Sequence, residues 1–356
     1  MKKILYILLV GLLVLAACDD NGDEPRKGKS PRILLEVYTG SLGGYYVFDN
    51  SGKLIFECPE GYGITNMAAE GKNWYCVMQS NSDSIFRVLK NGKLAYSTTN
   101  EIYSLCVENG DIYTLQLEWK HSDGYMWRIF KNDSQLYEYD FWDYSFCNLT
   151  VDHGDLMAHV WYKELNGKLI YWMNGKIYTL QAPEPYVSIR EISKQGKDTL
   201  AVLENSSGAG LYWWMNGEFH PLPSGFNFNY GSFFRYTKPL SGLAGGVPYI
   251  AGHSQRGMAV VVNGQEYLID APSSNRVMKV QRHGNDVYTL TCDRQMSYPP
   301  NGHARIFKGS ESVDINCKVY INNVRYPGNG SAAFNQGGDT VNLADFAVYD
   351  FVVLDK

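Results

Sequence analysis

No run of this chain is both long enough and apolar enough to cross a bilayer as a helix, which takes about 20 residues. The longest candidate, ILYILLVGLLVLAA, has 14 residues and begins at Ile4. Charged residues are sparse, at 19%, and no basic cluster stands out beyond residue 31. That discounts nucleic acid, whose phosphates call for a concentrated basic footprint. None of the seven cysteines stands in a C-x-x-C pair, which weakens zinc and redox-motif readings. HExxH, GxSxG, P-loop and calcium-loop patterns are missing as well. The Gly-bearing segments GYGITNMAAEG and SGAG lack the following helix that would cradle a phosphate. No cofactor is implied.

What the chain has in quantity is tyrosine and glycine, 27 and 35 residues, within a composition that is 45% hydrophobic. Without long helical periodicity, this balance favours β structure with many turns.

The N-terminus is set apart from the rest. Lys2 and Lys3 precede the apolar run, which ends in LAAC, Leu15 to Cys18. This segment resembles the signal peptide and lipobox of bacterial lipoproteins, which implies cleavage before Cys18 and lipidation of its thiol. Several acyl chains on one residue would anchor it permanently, at about 0.8 kcal/mol per buried CH₂. The acidic run DDNGDE follows directly and is similar to the export signal of Bacteroidetes-type surface lipoproteins. The expected order is therefore signal peptide and lipobox over 1–18, flexible tether over 19–31 and folded domain over 32–356. The expected location is the outer membrane, lipid-anchored and displayed on the cell surface, with a periplasm-facing anchor as the alternative. Removing Lys2 and Lys3 from the 32 basic residues leaves 30 against 37 acidic ones. Cys58, Cys76, Cys106, Cys147, Cys292 and Cys317 lie in apolar runs and read mostly as buried free thiols.

The folded part is repetitive. Asn-Gly or a close variant, flanked by aromatic and aliphatic residues, is a hairpin signal. It occurs near Asn50, Asn91, Asn132, Asn174, Asn216, Asn263 and Gly309, at spacings of 41, 41, 42, 42, 47 and 46. A second strand–turn–strand signal runs in step, at Gly71, Gly110, Gly154, Gly196, Gly246 and Gly284. Each unit then reads as four strands, A to D, which with their turns need about 40 residues. A four-stranded antiparallel sheet repeated radially is a β-propeller blade. Seven hairpins predict an all-β, seven-bladed propeller. The first unit lacks an A strand, because RILLEVYTG already reads as B. The C-terminal FAVYDFVVL is expected to supply it and close the ring, removing two exposed edges. Residues 317–345 fit no repeat. Trp172, Trp213 and Trp214, on C strands, are expected to fill space between blades.

The segments LKNGKLAYS, VENGDIYTL and RHGNDVYTL resemble the W-K-N-G…G-N-D-V-Y-V propeller repeats of bacterial surface lipoproteins, a family of unknown function. The resemblance implies a propeller at the cell envelope and brings no catalytic residues.

In this arrangement the A–B and C–D turns share one face and are stereotyped, whereas the B–C and D–A loops share the other and vary. Variable loops on a rigid scaffold are where recognition resides. The ligand-binding candidates on that face are Tyr62, Trp119, Trp127, Trp142, Tyr144, Tyr186, Phe228, Tyr230, His253, Arg256 and Tyr298. Aromatic rings beside Arg, Asn and Asp suit sugar stacking or a protein hot spot. His153 and His283 read as A–B turn residues equivalent to Glu70, Asn109 and Gln195. His121, His253 and His303 fall on three loops, where imidazoles of separate blades can meet over a metal, although no carboxylate spacing supports one. The expectation is a non-catalytic, monomeric binding lipoprotein for a glycan or an envelope protein, touching the membrane by its lipid alone. The alternatives are a polysaccharide lyase or hydrolase using loop carboxylates such as Asp140, Asp143 and Glu184, or an assembly scaffold.

Overall fold

The computed structural model describes residues 31–355 apart from 39–43, 81, 121–123, 163–168, 181–186, 206–209, 229–237, 273–274, 294–303, 316–317, 322–323, 327–332, 336–338 and 343–346. The span Arg32–Asp355 forms one compact unit. It contains seven four-stranded sheets. The second blade is typical: A Tyr62–Glu70, B Asn73–Ser80, C Phe86–Lys90, D Lys93–Thr98. The third runs Glu101–Glu108, Asp111–Lys120, Gly124–Lys131 and Ser134–Asp140, and the fourth opens with Tyr144–Asp152. The A strands of blades five, six and seven are Val187–Gln195, Ser241–Ala244 and Asn275–His283.

The first blade closes the ring. Its inner strand is the C-terminal Ala347–Leu354, antiparallel to Arg32–Tyr38, with Leu35 opposite Phe351. Pairing the chain's two ends removes an unpaired edge that would otherwise invite another chain. Four short strands lie outside the blades and form two pairs, Lys318–Ile321 with Asp339–Asn342 and Val324–Tyr326 with Ala333–Asn335.

There is no single core. Seven apolar clusters each occupy the wedge between neighbouring blades. Alternate side chains of one strand point to opposite wedges: Trp74 and Cys76 face the first blade, while Tyr75 and Val77 face the third. Both faces of a B strand are therefore buried, which is why NWYCVM and DIYTLQL read as nearly continuous apolar runs. Outer strands have a solvent side, and Leu94 is exposed. Trp172 is fully buried, its indole N–H donating to the Tyr139 hydroxyl at 2.7 Å. Trp213 is buried in the next wedge but one, with His220 stacked on it at 4.1 Å. The described cysteines, Cys58, Cys76, Cys106, Cys147 and Cys292, are free thiols; Cys18 and Cys317 lie outside the described residues.

The repeated asparagine has a definite task. Asn91, Asn132, Asn174 and Asn216 all adopt φ between 47° and 55°, and at Asn91, Asn174 and Asn216 a glycine at positive φ follows, as a type I′ hairpin turn requires. Each side-chain oxygen accepts the N–H that opens the neighbouring B strand: Trp74, Ile112, Leu156 and Thr199, at 2.8 to 3.0 Å. Each amide then donates to the preceding residue, Asn73, Asp111, Asp155 or Asp198. In the sixth blade the equivalent N–H is missing because the residue is Pro248, and only the backbone bond from Asn263 remains. These bonds place the C–D turns beside the A–B turns on one face, leaving the B–C and D–A connections on the other.

The A–B turns are latched around the ring. Glu70 accepts from Asn109 and Gly110, Glu108 from His153 and Gly154, Asp152 from Gly196, and Gln195 from Gly246. This corrects the equivalence drawn between His153 and His283. His153 is a turn residue at φ 52°, but His283 ends its A strand, the place held by Glu70 and Asp152, and its Nε2 lies 3.3 Å from Asp355. The offset arises because turns of different type place their glycine one residue apart.

Candidate functional site

Of the aromatic loop-face candidates, two stand out by exposure. Trp119 is 60% and Trp142 63% exposed, and both belong to the third blade. Trp119, the last residue but one of the B strand, stands directly opposite Tyr125 on the C strand, so their side chains share a face of the sheet. Tyr125, itself 41% exposed, lies 5.4 Å from the Phe141 ring, and Phe141 meets Trp142 edge-on at 5.8 Å. The Asp140 carboxylate accepts from the Trp142 N–H at 2.8 Å and fixes the turn that presents it. Gly124, at φ 84°, lies under the indole; a Cβ there would come within 2.8 Å of the Trp142 Nε1. The result is a row of exposed rings at one edge of the blade, with Trp119 opposite Tyr125 and Tyr125 joined to Trp142 through Phe141.

Charge flanks the row. On the opposite face of the same strands, Arg128 bridges Glu118 at 2.8 Å and Glu138 at 2.9 Å, and Lys120 lies 3.6 Å from Glu138. These charges are partly exposed and neutralise one another, so they border the row without covering it.

Several candidates behave differently from the expectation. Trp127 is not a loop-face residue: it is 3% exposed and packs with Tyr103, Phe141 and Phe146 between blades three and four. The alternation that brings Tyr125 outward at the strand end carries Trp127, two residues on, into the wedge. Phe228 is half-buried against Phe226. His253 is half-buried within a strand, Val247–Ser254, and is held there by paired backbone bonds with Asn227. Its Nε2 is buried without a hydrogen-bond partner, and burial holds the imidazole below its usual pKa. Arg256 is exposed but paired with Glu266 at 2.7 Å. Tyr62 opens an A strand beneath the Arg87 guanidinium, 4.7 Å from its ring centre. Tyr144 begins an A strand, and nothing is described of its side chain. Tyr186, Tyr230 and Tyr298, with His121 and His303, lie outside the described residues. Glu184 does too.

Sequence reasoning missed Tyr125 and Phe141. The alternation in GYMWRIFK, which sends Tyr125 and Trp127 to one face, was the available signal. Among the described residues no group of three His, Cys, Asp or Glu side chains is arranged to hold a metal, and no helix is long and apolar enough to cross a membrane.

A second concavity runs along the axis. A cavity of about 290 Å³ is lined by the inner strands, chiefly their halves nearest the A–B turns. At its deep end is a buried charged cluster. Lys279 donates to Asp350 Oδ1 at 2.7 Å and to the carbonyls of Met67 and Phe351, while Lys238 reaches Asp350 Oδ2 at 3.0 Å. The Met67 N–H also donates to Asp350, at 2.9 Å. Glu36 lies behind them, 1% exposed and 3.9 Å from Lys238. Burial pushes its carboxyl up to about 8, against the pull of Lys238.

No family model matches the chain. No curated protein matches it either. Its fold is similar to the β-propeller domain of the Trilobed protease from Pyrococcus furiosus, at TM-score 0.50 and 12% identity, covering 76% of this chain and 86% of that one. It is also similar to the acylaminoacyl peptidase of Pyrococcus horikoshii, at TM-score 0.52 and 10% identity, covering 85% of this chain and 56% of that one. The chain thus spans little more than half the length of that peptidase. The Pyrococcus furiosus domain is described as having an open Velcro topology; here Ala347–Leu354 closes the ring. At such identities the likeness is one of architecture alone, and the chain is a seven-bladed β-propeller built from four-stranded antiparallel blades.

Proposed function

We propose that this propeller is a non-catalytic binding protein of the cell envelope, recognising a glycan or an envelope protein through the aromatic row of its third blade. The observation that carries the reading is the joint exposure of Trp119, Tyr125 and Trp142 on one loop edge. Large rings left in water cost burial energy at about 25 cal/mol per Å², and a partner that covers them recovers it. A row of flat faces suits the apolar side of sugar rings, and tryptophan and tyrosine are also hot-spot residues at protein interfaces. The N-terminal LAAC segment supports a lipid anchor at Cys18, with DDNGDE and the rest of 19–31 as its tether.

A glycan array probed with the full-length chain tests the sugar arm, and recovery of bound envelope proteins by cross-linking tests the protein arm. Binding in one of them is the expected result. Release of product from a mixed polysaccharide panel would instead indicate the hydrolase or lyase alternative.

A further inference from the structure

The two residues that follow each C–D turn differ around the ring. Blades one, two and four carry Lys53-Leu54, Lys93-Leu94 and Lys176-Ile177 there. Blades five, six and seven carry Glu218-Phe219, Gln265-Glu266 and Glu311-Ser312. In the third blade the aliphatic residue is Leu136, one place further on, at a bulge. These four aliphatic side chains stand in water: Leu54 is 44%, Leu94 60%, Leu136 42% and Ile177 37% exposed.

Packing does not call for them. Leu94 lies opposite the buried Leu89, and Ile177 opposite the buried Trp172, each at the outer end of a wedge. The sixth and seventh blades place Glu266 and Ser312 at the same position, so a polar residue fits there. A single exposed leucine is ordinary, but recurrence at one position of neighbouring blades is not scatter. The lysines beside them are uncommitted. Lys53, Lys93 and Lys176 are exposed. The ion-paired lysines among the described residues are others: Lys120, Lys131, Lys194, Lys238, Lys279 and Lys308. Positive charge and apolar surface therefore share the side of the ring made by blades one to four.

The chain enters the folded unit on this side. Arg32 opens the B strand of the first blade, with its guanidinium 3.2 Å from Asp49. The Asn50 N–H of the adjoining C–D turn donates to the Ile33 carbonyl at 2.9 Å, and Lys53 and Leu54 follow that turn directly. Residues 19–31 alone separate Arg32 from Cys18, about 45 Å when fully extended. With Cys18 lipidated, such a tether keeps this edge at high local concentration beside the headgroups, where weak contacts suffice.

We infer that the C–D-turn edge of blades one to four is a contact surface for the anionic lipid headgroups of the membrane that holds Cys18. Lysines are drawn to an anionic surface within about a Debye length. The aliphatic side chain next to each lysine enters the headgroup boundary as the apolar residues of interfacial segments do. The inference rests on the lipid anchor of the proposed function and is independent of the third-blade rings.

The test is amine acetylation of the full-length chain, purified from membranes and reconstituted on vesicles of phosphatidylcholine alone or with phosphatidylglycerol added. Labelling of Lys53, Lys93 and Lys176 should fall at least threefold on the anionic vesicles and return at about 0.5 M salt. Lys120, which ends a B strand on the loop face, should keep its labelling throughout. Joint replacement by Leu54→Ser, Leu94→Ser and Ile177→Ser should weaken the protection at an unchanged melting temperature. Equal labelling of the three lysines on both vesicles would overturn the inference, as would equal protection of Lys120. Protection on intact cells but not on vesicles would assign the edge to an acidic protein and overturn the lipid assignment. The mass of the N-terminal peptide from the same digest reports the anchor separately. A chain without acyl mass refutes the anchor reading, and its lysines must still be protected on the anionic vesicles or this inference falls too.

Discussion

Lys279 of the seventh blade places its ammonium 2.7 Å from the Asp350 carboxylate of the first, joining the strand before the chain's last hairpins to the strand that closes the ring. Both residues are almost fully buried, and Lys238 shares the same carboxylate. A buried ion pair adds little over a well-packed apolar substitute, but removing one partner strands a charge at a cost of about 3–5 kcal/mol. Asp350→Ala would strand two ammonium groups and leave the Met67 N–H unpaired. It should lose at least about 3 kcal/mol in urea denaturation, whereas the joint replacement Lys279→Met with Asp350→Asn should lose less than the sum of the two single changes.

The neighbouring Glu36 gives a pH signature. Burial raises its folded pKa to about 8 from an ordinary 4.5, while Lys238 and Lys279 lower it and Asp350 raises it. An acid whose folded pKa is raised contributes full stability below the unfolded pKa and loses it as pH rises through the folded value. Stability should therefore decline between pH 5 and pH 9 in thermal unfolding. Glu36→Gln, which resembles the protonated form, should flatten that decline and gain relative to the parent chain at pH 9 but not at pH 5. An unchanged slope would mean that Glu36 stays charged.

The hairpin asparagines allow conformation and hydrogen bonding to be separated. Asn174 holds φ 47° and accepts from the Leu156 N–H at 2.8 Å while donating to Asp155 at 2.7 Å. Asn174→Gly keeps the backbone geometry and removes the bonds, at about 1 kcal/mol. Asn174→Ala should cost about 1–2 kcal/mol more, because alanine is strained at positive φ. Urea titration of both variants reads the difference.

The tryptophans divide by depth. Trp172→Ala empties a fully buried site and should cost about 3–5 kcal/mol. Trp142→Ala, at an exposed site, should stay within about 0.5 kcal/mol of the parent. Gly124→Ala should displace the Trp142 indole, given the 2.8 Å approach of a Cβ, and so change indole fluorescence without removing the ring.

How much of this was legible before the structure follows from particular residues. The seven blades were visible because Asn91, Asn132, Asn174 and Asn216 must be asparagine: few residues tolerate that φ and also bond back to the next strand. Closure by the C-terminal strand followed from Arg32–Tyr38 having no inner partner of its own. The exposed row was visible only in part. Trp119 and Trp127 are alike in the sequence, but one sits above the wedge and the other inside it. Depth along a radial strand leaves no mark in a composition that is apolar on both faces. The charged cluster was not legible at all, because Glu36, Asp350, Lys238 and Lys279 are scattered along the chain and meet only when the ring closes.

The most direct measurement of the account is the affinity of the best array or cross-linked partner for the chain carrying both Trp119→Ala and Trp142→Ala, with its melting temperature recorded alongside. The account predicts at least a tenfold loss of affinity, about 1.4 kcal/mol, with melting unchanged. Retained affinity in a folded double variant would contradict it and move recognition away from the third blade.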